Sequence, residues 1–473
     1  MPQLSRRDFL LTGLASGALL AVPSLTAQTT APAAHTAARR ARNVIFLVSD
    51  GMSLGTLTMS ERFRMRHEGR STHWIGLYGK PGTHLALIDT ASANSPVTDS
   101  AAGASAWGCG HKVNNGALNV GPDGQKYPTI MRLAHAAGLG TGLVTTATIT
   151  HATPAGFTAQ VAKRAEESEI ASQYLDIGID VLLGGGSKFF DAAHRPDHRD
   201  LAGDFSRAGY QVVHDATALR AASTSGRLLG TFDAEHLPFS LDRKSDPAIA
   251  ARVPTLAEMA QVALDRLSAR PEGFVLQIEG GRVDHAAHSN DIGGLVYDQL
   301  AFDDAVGVAI QFAAGRDDTL VIVTTDHGNA NPGLNGSYGP NGGAQECFDR
   351  VAHFRHTNVW ALAGLGPDST LLQIRDRVQE STDIALQDDE LQLLQHALRN
   401  EHREGYRVRN APLIALGQIL ANYVSVGWTG VDHTTDFAPL AAFGPGSEPI
   451  GGLMQNTDLF GVITRALDLK VSA

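Results

Sequence analysis

Cysteine is scarce: Cys109 and Cys347 are the only two in 473 residues. They lie far apart, so no disulfide framework is implied. Cys109, set among the small residues of AWGCGH, reads as a buried thiol rather than a nucleophile. Basic excess is missing too. Lys and Arg number 38 against 49 Asp and Glu, a formal charge of -11. That excludes the basic stripe that nucleic-acid-specific binding needs to neutralise phosphates. Small phosphate substrates stay open, because bound cations and one arginine supply local positive charge whatever the net sign. No segment past the N-terminus has the ~20 apolar residues that span a bilayer, and the C-terminus lacks the hydrophobic tail of a lipid-anchor signal. The mature protein is therefore expected to be soluble, with no stable membrane anchor. What is present, 43% hydrophobic and 18% charged residues, is ordinary globular composition, over a length that suits one large α/β domain.

The N-terminus carries an address. Ser5-Arg6-Arg7-Asp8-Phe9-Leu10 is a twin-arginine pattern, an apolar Gly/Ala-rich run follows from Leu11 to Val22, and Leu25-Thr26-Ala27 offers a cleavage point. Residues 1–27 thus read as a twin-arginine signal peptide, which predicts a periplasmic or secreted protein. Residues 28–42, rich in Ala, Thr and Pro and ending in Arg39, Arg40 and Arg42, read as a flexible leader, and the catalytic domain is expected over 43–473.

Within that domain short apolar runs recur, each closed by polar or glycine residues: Val44–Val48, Gly142–Thr145, Val181–Leu183, Phe274–Ile278, Leu320–Val323 and Pro439–Phe443. Continuous rather than alternating apolar character predicts strands buried on both faces, hence a large mostly parallel central sheet. Helical patterns between them, such as Thr255–Leu267 and Tyr297–Phe312, place it between helices, in an α/β sandwich. Residues 328–410 read as a variable insertion, with a polar loop at Asn329–Gln345 and a solvated helix at Asp388–Glu404.

Reactive residues fall where such sheets build their sites, at the carboxyl ends of strands. Asp50 follows the first run, Glu279 the fourth and Asp326 the fifth. An Asp-Gly after a strand is ordinarily a turn, so Asp50-Gly51 alone says little. Asp99-Ser100, followed by small helix-tolerant residues, puts Ser100 near a helix N-terminus, where backbone N–H groups favour anions; the plainer reading is a simple N-cap. In His151-Ala152-Thr153-Pro154, the residue before proline is expected to be extended and to present its hydroxyl from a loop. The most specific segment is Glu279-Gly280-Gly281-Arg282-Val283-Asp284-His285-Ala286-Ala287-His288. Asp284 and His288, spaced i,i+4, share one helical face and can grip one ion, while Glu279 adds a hard oxygen. Asp326-His327 and, much later, His433 add further donors, although most of the 19 histidines must be structural.

Taken together and in this order, these segments resemble the alkaline phosphatase family, over about residues 43–330, including PTLAEMAQVALDRL, and again over about 411–467, including GGLMQNTDLFGVI. The resemblance implies a phosphate-monoester hydrolase with two zinc ions and one magnesium. Asp284, His288 and His433 would hold the first zinc; Asp50, Asp326 and His327 the second, beside the nucleophile Ser100; and Asp50, Thr153 and Glu279 the magnesium. Arg164 matches the phosphate-clamping arginine and Asp99 the carboxylate that orients it. Some relatives carry Asp and Lys where this chain has His151 and His285, so these two are expected beside the ligands, with an altered magnesium site. The metals explain the residue types: a serine hydroxyl is a poor nucleophile unless activated, and two ions about 4 Å apart can hold the attacking and leaving oxygens of an in-line displacement. The implied substrates are small phosphomonoesters over a broad range, and monomer and homodimer are both open.

Two other readings share these residues. A phosphodiesterase or sulfatase could use the same scaffold, but Ser100-Ala101-Ala102 lacks the sulfatase pattern, and an arginine beside a dianionic phosphoryl group disfavours diesters. A non-catalytic phosphate- or metal-binding protein would be expected to have lost the nucleophile or a ligand, and none is missing.

Overall fold

The computed structural model describes residues 40–336, 342–401 and 405–471. The export signal expected over residues 1–27 lies outside these, as does the leader up to residue 39. Ala41, near the leader's end, is already buried, and its N–H donates to the Ala466 carbonyl.

Ten strands form one sheet: β1 (Asn43–Ser49), β2 (Thr83–Asp89), β3 (Gly140–Thr148), β4 (Val181–Gly185), β5 (Tyr210–Val213), β6 (Arg227–Thr231), β7 (Phe274–Gly280), β8 (Thr319–Thr324), β9 (Ala438–Phe443) and β10 (Gly452–Gln455). Their order is β10-β2-β9-β8-β1-β7-β3-β4-β6-β5. Only β9 runs antiparallel to its neighbours. All residues of β1, β3, β7 and β8 are buried, as continuous apolar runs require when helices cover both faces. Alternation along β1 feeds two cores. Ile45 and Leu47 pack with the helices Leu54–Glu68, Leu256–Leu267 and Ile292–Ala313, whereas Val44, Phe46 and Val48 pack with Ser100–Cys109 and Asp458–Ala466. The family-like sandwich expected from the sequence is the one observed.

Several local expectations are corrected. Glu279 does not follow its strand but lies inside β7, one residue from its end. Thr153 is helical rather than extended: it sits in the first turn of Ala152–Gly156, and the extended residue is His151, the N-cap. Proline is tolerated there because a first-turn N–H has no intrahelical partner to lose. The helix expected from Tyr297 begins at Ile292, where the Asp291 carboxylate accepts from the Gly294 N–H. The charged helix of the insertion spans Asp388–Leu398 and is capped at Arg399, short of Glu404. The polar stretch after His327 is partly paired, Gly328–Asn329 with His433–Thr434 and Pro332–Leu334 with Val426–Trp428. Cys109 and Cys347 are buried and not joined to each other; burial pushes the Cys109 thiol up to about 12, as an inert thiol should be. Among the described residues no helix is long and apolar enough to cross a membrane.

Candidate active site

Three adjacent parallel strands, β8, β1 and β7, end at the same edge of the sheet. β1 delivers Asp50, β7 delivers Glu279 and then the helix Arg282–His288, and β8 delivers Asp326 and His327. Asp50, Glu279, Asp326 and His327 have no solvent exposure. Gly51 takes φ 64°, and a Cβ there would collide with the Asp284 carboxylate, so glycine lets the β1 turn pass against Asp284.

Ser100 is the first residue of the fully buried helix Ser100–Cys109. Its Oγ donates to Asp50 Oδ1 at 3.4 Å and lies 3.3 Å from His327 Nε2. The capping reading and the site reading both hold for Asp99: Oδ1 accepts from the Ala102 N–H at 2.9 Å, and Oδ2 accepts from Arg164 Nη1 at 3.1 Å. The other end of the Arg164 fork donates to His151 Nε2 at 3.0 Å.

Around Ser100 the donors fall into three groups that could hold metal ions: Asp284, His288 and His433; Asp50, Asp284 and His327; and Asp50, His151 and Glu279. In the first, Asp284 lies 3.3 Å from His288 Nε2 and 3.5 Å from His433 Nε2. In the second, Asp326 joins through His327 Nε2, 3.3 Å from its Oδ2, while Asp50 Oδ1 stands 3.6 Å from the same nitrogen. In the third, Thr153 Oγ1 donates to Asp50 Oδ2 at 3.4 Å, and His151 Nδ1 is 4.0 Å from Glu279 Oε1. The residues expected for each cation are therefore neighbours, with Asp284 between the first two groups and His151 closer to the third than the sequence suggested.

The donor set fits cations. Asp326 Oδ2 and Glu279 Oε1 are buried with no hydrogen-bond partner among the described residues, a costly state for polar groups unless an ion engages them. His288 Nδ1 donates to the Val431 carbonyl at 2.6 Å and His433 Nδ1 to the Thr98 carbonyl at 2.9 Å. Each Nε2 is turned to the Asp284 carboxylate, and the two stand 3.1 Å apart; with Nδ1 tied to the backbone, Nε2 is the nitrogen whose proton a cation would displace. Burial, then Asp326, Asp284 and Glu279, raise the Asp50 carboxyl well above its usual range, and burial pushes Glu279 up to about 7. Burial would raise Asp284 too, but hydrogen bonds from His288 and His433 outweigh it and hold that carboxyl well below the usual range. For His288 burial is likewise overcome by Asp284, which lifts it to about 9.

Sequence reasoning missed three residues here. Thr145 Oγ1 donates to Glu279, its register partner across β3 and β7; its place at the end of the apolar run Gly142–Thr145 was the available signal. Asn329 Nδ2 donates to Asp284 Oδ1 at 2.6 Å, and its position two residues past His327 was another. His236 packs against His151 and His285, and no local pattern announces it. His356, in the insertion, stacks on Trp360 and contacts Asp242 at 3.2 Å, and His353 is exposed; neither belongs to the site.

Comparison with known proteins gives one answer. The family profile described as alkaline phosphatase matches residues 41–469. Alkaline phosphatase 4 of Bacillus subtilis is 31% identical over 90% of this chain and 88% of its own length. Streptomycin-6-phosphate phosphatase of Streptomyces griseus is 32% identical over 93% of this chain and 95% of its own. The crystal structure of Thermus thermophilus alkaline phosphatase superposes with a TM-score of 0.84 at 34% identity, covering 91% of this chain and 92% of that one. With the sheet, the strand-end carboxylates and the histidine pairs already in place, the chain belongs to the alkaline phosphatase family of metal-dependent phosphoric monoester hydrolases.

Proposed function

We propose that the protein hydrolyses a broad range of small phosphate monoesters to alcohol and inorganic phosphate through a phosphoserine at Ser100. The observation that carries this is the place of Ser100 Oγ: at a helix N-terminus, within 3.4 Å of Asp50 and His327, on a helix whose capping residue also holds Arg164. Asp284, His288 and His433 would hold one zinc, Asp50, Asp326 and His327 a second, and Asp50, Thr153 and Glu279 a magnesium. When bound, these cations would lower the serine hydroxyl's pKa and offset charge on the attacking and leaving oxygens.

The chain's own groups do the rest. Arg164 grips two non-bridging phosphoryl oxygens with its planar fork. Its grip orients phosphorus for in-line attack, with free N–H at the helix start favouring the anion. Ser100 Oγ bonds to phosphorus as the P–O bond to the alcohol breaks, and the alcohol departs with a proton. Water then breaks the Oγ–P bond, which restores the hydroxyl and releases phosphate. Arg164 and Asp99 are 29% and 20% exposed, so the alcohol faces solvent, which supports a wide substrate range. The Arg6-Arg7 pattern supports twin-arginine export of the folded enzyme.

Incubation of the holoenzyme with nitrophenyl phosphate at mildly acid pH, then mass spectrometry, should find phosphate on the Ser100 peptide and none in Ser100→Ala. Label elsewhere, or turnover undiminished in Ser100→Ala, would overturn the reading. A preference for the bis-ester over the monoester would favour the diesterase.

A further inference from the structure

A row of side chains runs along one side of the site, each touching the next. Arg282 Nη1 donates to His285 Nδ1 at 2.7 Å, and the His285 and His236 rings pack with centroids 4.4 Å apart. The His236 ring meets the His151 ring edge-on at 5.5 Å, His151 Nε2 accepts from Arg164 at 3.0 Å, and Arg164 reaches Asp99 at 3.1 Å. His236 is one of three histidines in the row that all meet one another, and it comes from a different part of the chain, the loop after β6. Its own anchor is the backbone: Nδ1 accepts from the Thr148 N–H at 3.0 Å. Thr148 ends β3, three residues before His151. The three histidines are all partly open to solvent, unlike the fully buried Asp50, Glu279 and His327, so the row borders the approach to the buried donors.

We propose that His236 is a positioning residue for phosphate binding, acting through His151 on Arg164. This rests on the function proposed above. An arginine fork binds a phosphoryl group well only if its plane is fixed in advance, since ordering a long side chain costs rotamer entropy. Asp99 fixes one end of the fork and His151 the other. The His151 ring can hold that end only while its own tilt is held, and His236 supplies the wall on one side and the tie to Thr148 beneath. His285, pinned by Arg282, closes the wall from behind. The three rings pack against one another, and His151 Nε2 is the acceptor that holds the second end of the fork.

Without His236 the fork keeps its charge and loses its orientation. The loss falls equally on bound substrate, bound phosphate and the transition state, so KM and the phosphate inhibition constant rise together while kcat is spared. The test uses metal-loaded holoenzyme, with zinc and magnesium quantified in each variant. Inorganic phosphate and nitrophenyl phosphate are the probes. His236→Ala should raise both constants about tenfold, the equivalent of one charge-assisted hydrogen bond, with kcat within about twofold. His236→Asn, which keeps an acceptor for the Thr148 N–H, should recover part of the affinity, and serves alone if the alanine variant does not fold. In an Arg164→Ala background the His236 substitution should change the phosphate constant less than about twofold, because its route of action is gone. Unchanged constants, a fully additive double variant, or loss of metal with the ring would each overturn the inference. Wild-type enzyme inactive on monoesters would instead overturn the proposed function, so the two failures are distinct.

Discussion

Gly108 and Gly156 touch backbone to backbone: a Cβ on Gly108 would run into the Gly156 carbonyl. The contact joins the helix that carries Ser100 to the short helix that carries Thr153. A Cβ on Gly156 would in turn strike Ala104, so the run of small residues after Ser100 is a seam and not only a helix former.

Gly108→Val should therefore destabilise the protein by about 1–3 kcal/mol. Helix propensity favours a replacement by only about 0.5 kcal/mol, and the obstacle is a carbonyl that cannot rotate away, so the clash wins. Urea unfolding measures the loss. kcat/KM of the folded fraction should fall too, as Ser100 shifts from His327. A variant as stable and active as the parent would show that the helices can part freely.

Arg164→Lys should not rescue Arg164→Ala fully. A point charge cannot contact Asp99, His151 and two phosphoryl oxygens at once. Loss of about 1.5–3 kcal/mol of charge-assisted hydrogen bonding corresponds to roughly 10- to 150-fold in kcat/KM. Steady-state assays with nitrophenyl phosphate decide it, and equal activity of the lysine variant would mean that charge alone suffices.

Chelation should abolish activity and lower the midpoint of thermal unfolding. Asp50, Glu279 and Asp326 are all fully buried, and cations that bind only the folded chain stabilise it by mass action, by about 4 kcal/mol at a thousandfold excess over Kd. Scanning calorimetry before chelation, after it, and after return of zinc and magnesium measures this. An unchanged midpoint would count against occupied sites.

Asp298 should make stability fall with rising pH. It is buried in the helix Ile292–Ala313, and burial pushes its carboxyl up to about 7, despite Arg282 and the Ser240 hydrogen bonds. Between about pH 4 and that value the folded chain keeps a proton that the unfolded chain has released. Stability is thus lost as pH rises through the window, and the whole cost is present above it. Urea unfolding of parent and Asp298→Asn at about pH 5 and about pH 8 should show the parent losing a few kcal/mol relative to the variant, at about 1.4 kcal/mol per unit. A constant difference would place an ionised Asp298 in the fold.

What could be read from the sequence follows from how each element is covered. β1, β7 and β8 are buried on both faces and show unbroken apolar runs, so their ends, and with them Asp50, Glu279 and Asp326, were legible. β2 was not: Leu85 and Leu87 are exposed while Ala86 and Ile88 are buried, and this alternation near a sheet edge blurs into a turn-rich stretch. Asp284 and His288 were legible because four-residue spacing is a local signal. His236 had no such signal, since its partners come from β3 and from the helix Arg282–His288 and meet it only in the folded chain. Thr153 was misread because the local effect of proline on the preceding residue yields where the chain enters a helix.

Asp99 serves two masters with its two oxygens, the turn that starts at Ser100 and the guanidinium at Arg164, and the Gly116 N–H is tied to the same carboxylate at 3.0 Å. Attacker and gripper consequently share one peg, although the gripper has a second hold on His151. A change at position 99 would therefore disturb the spacing of both at once.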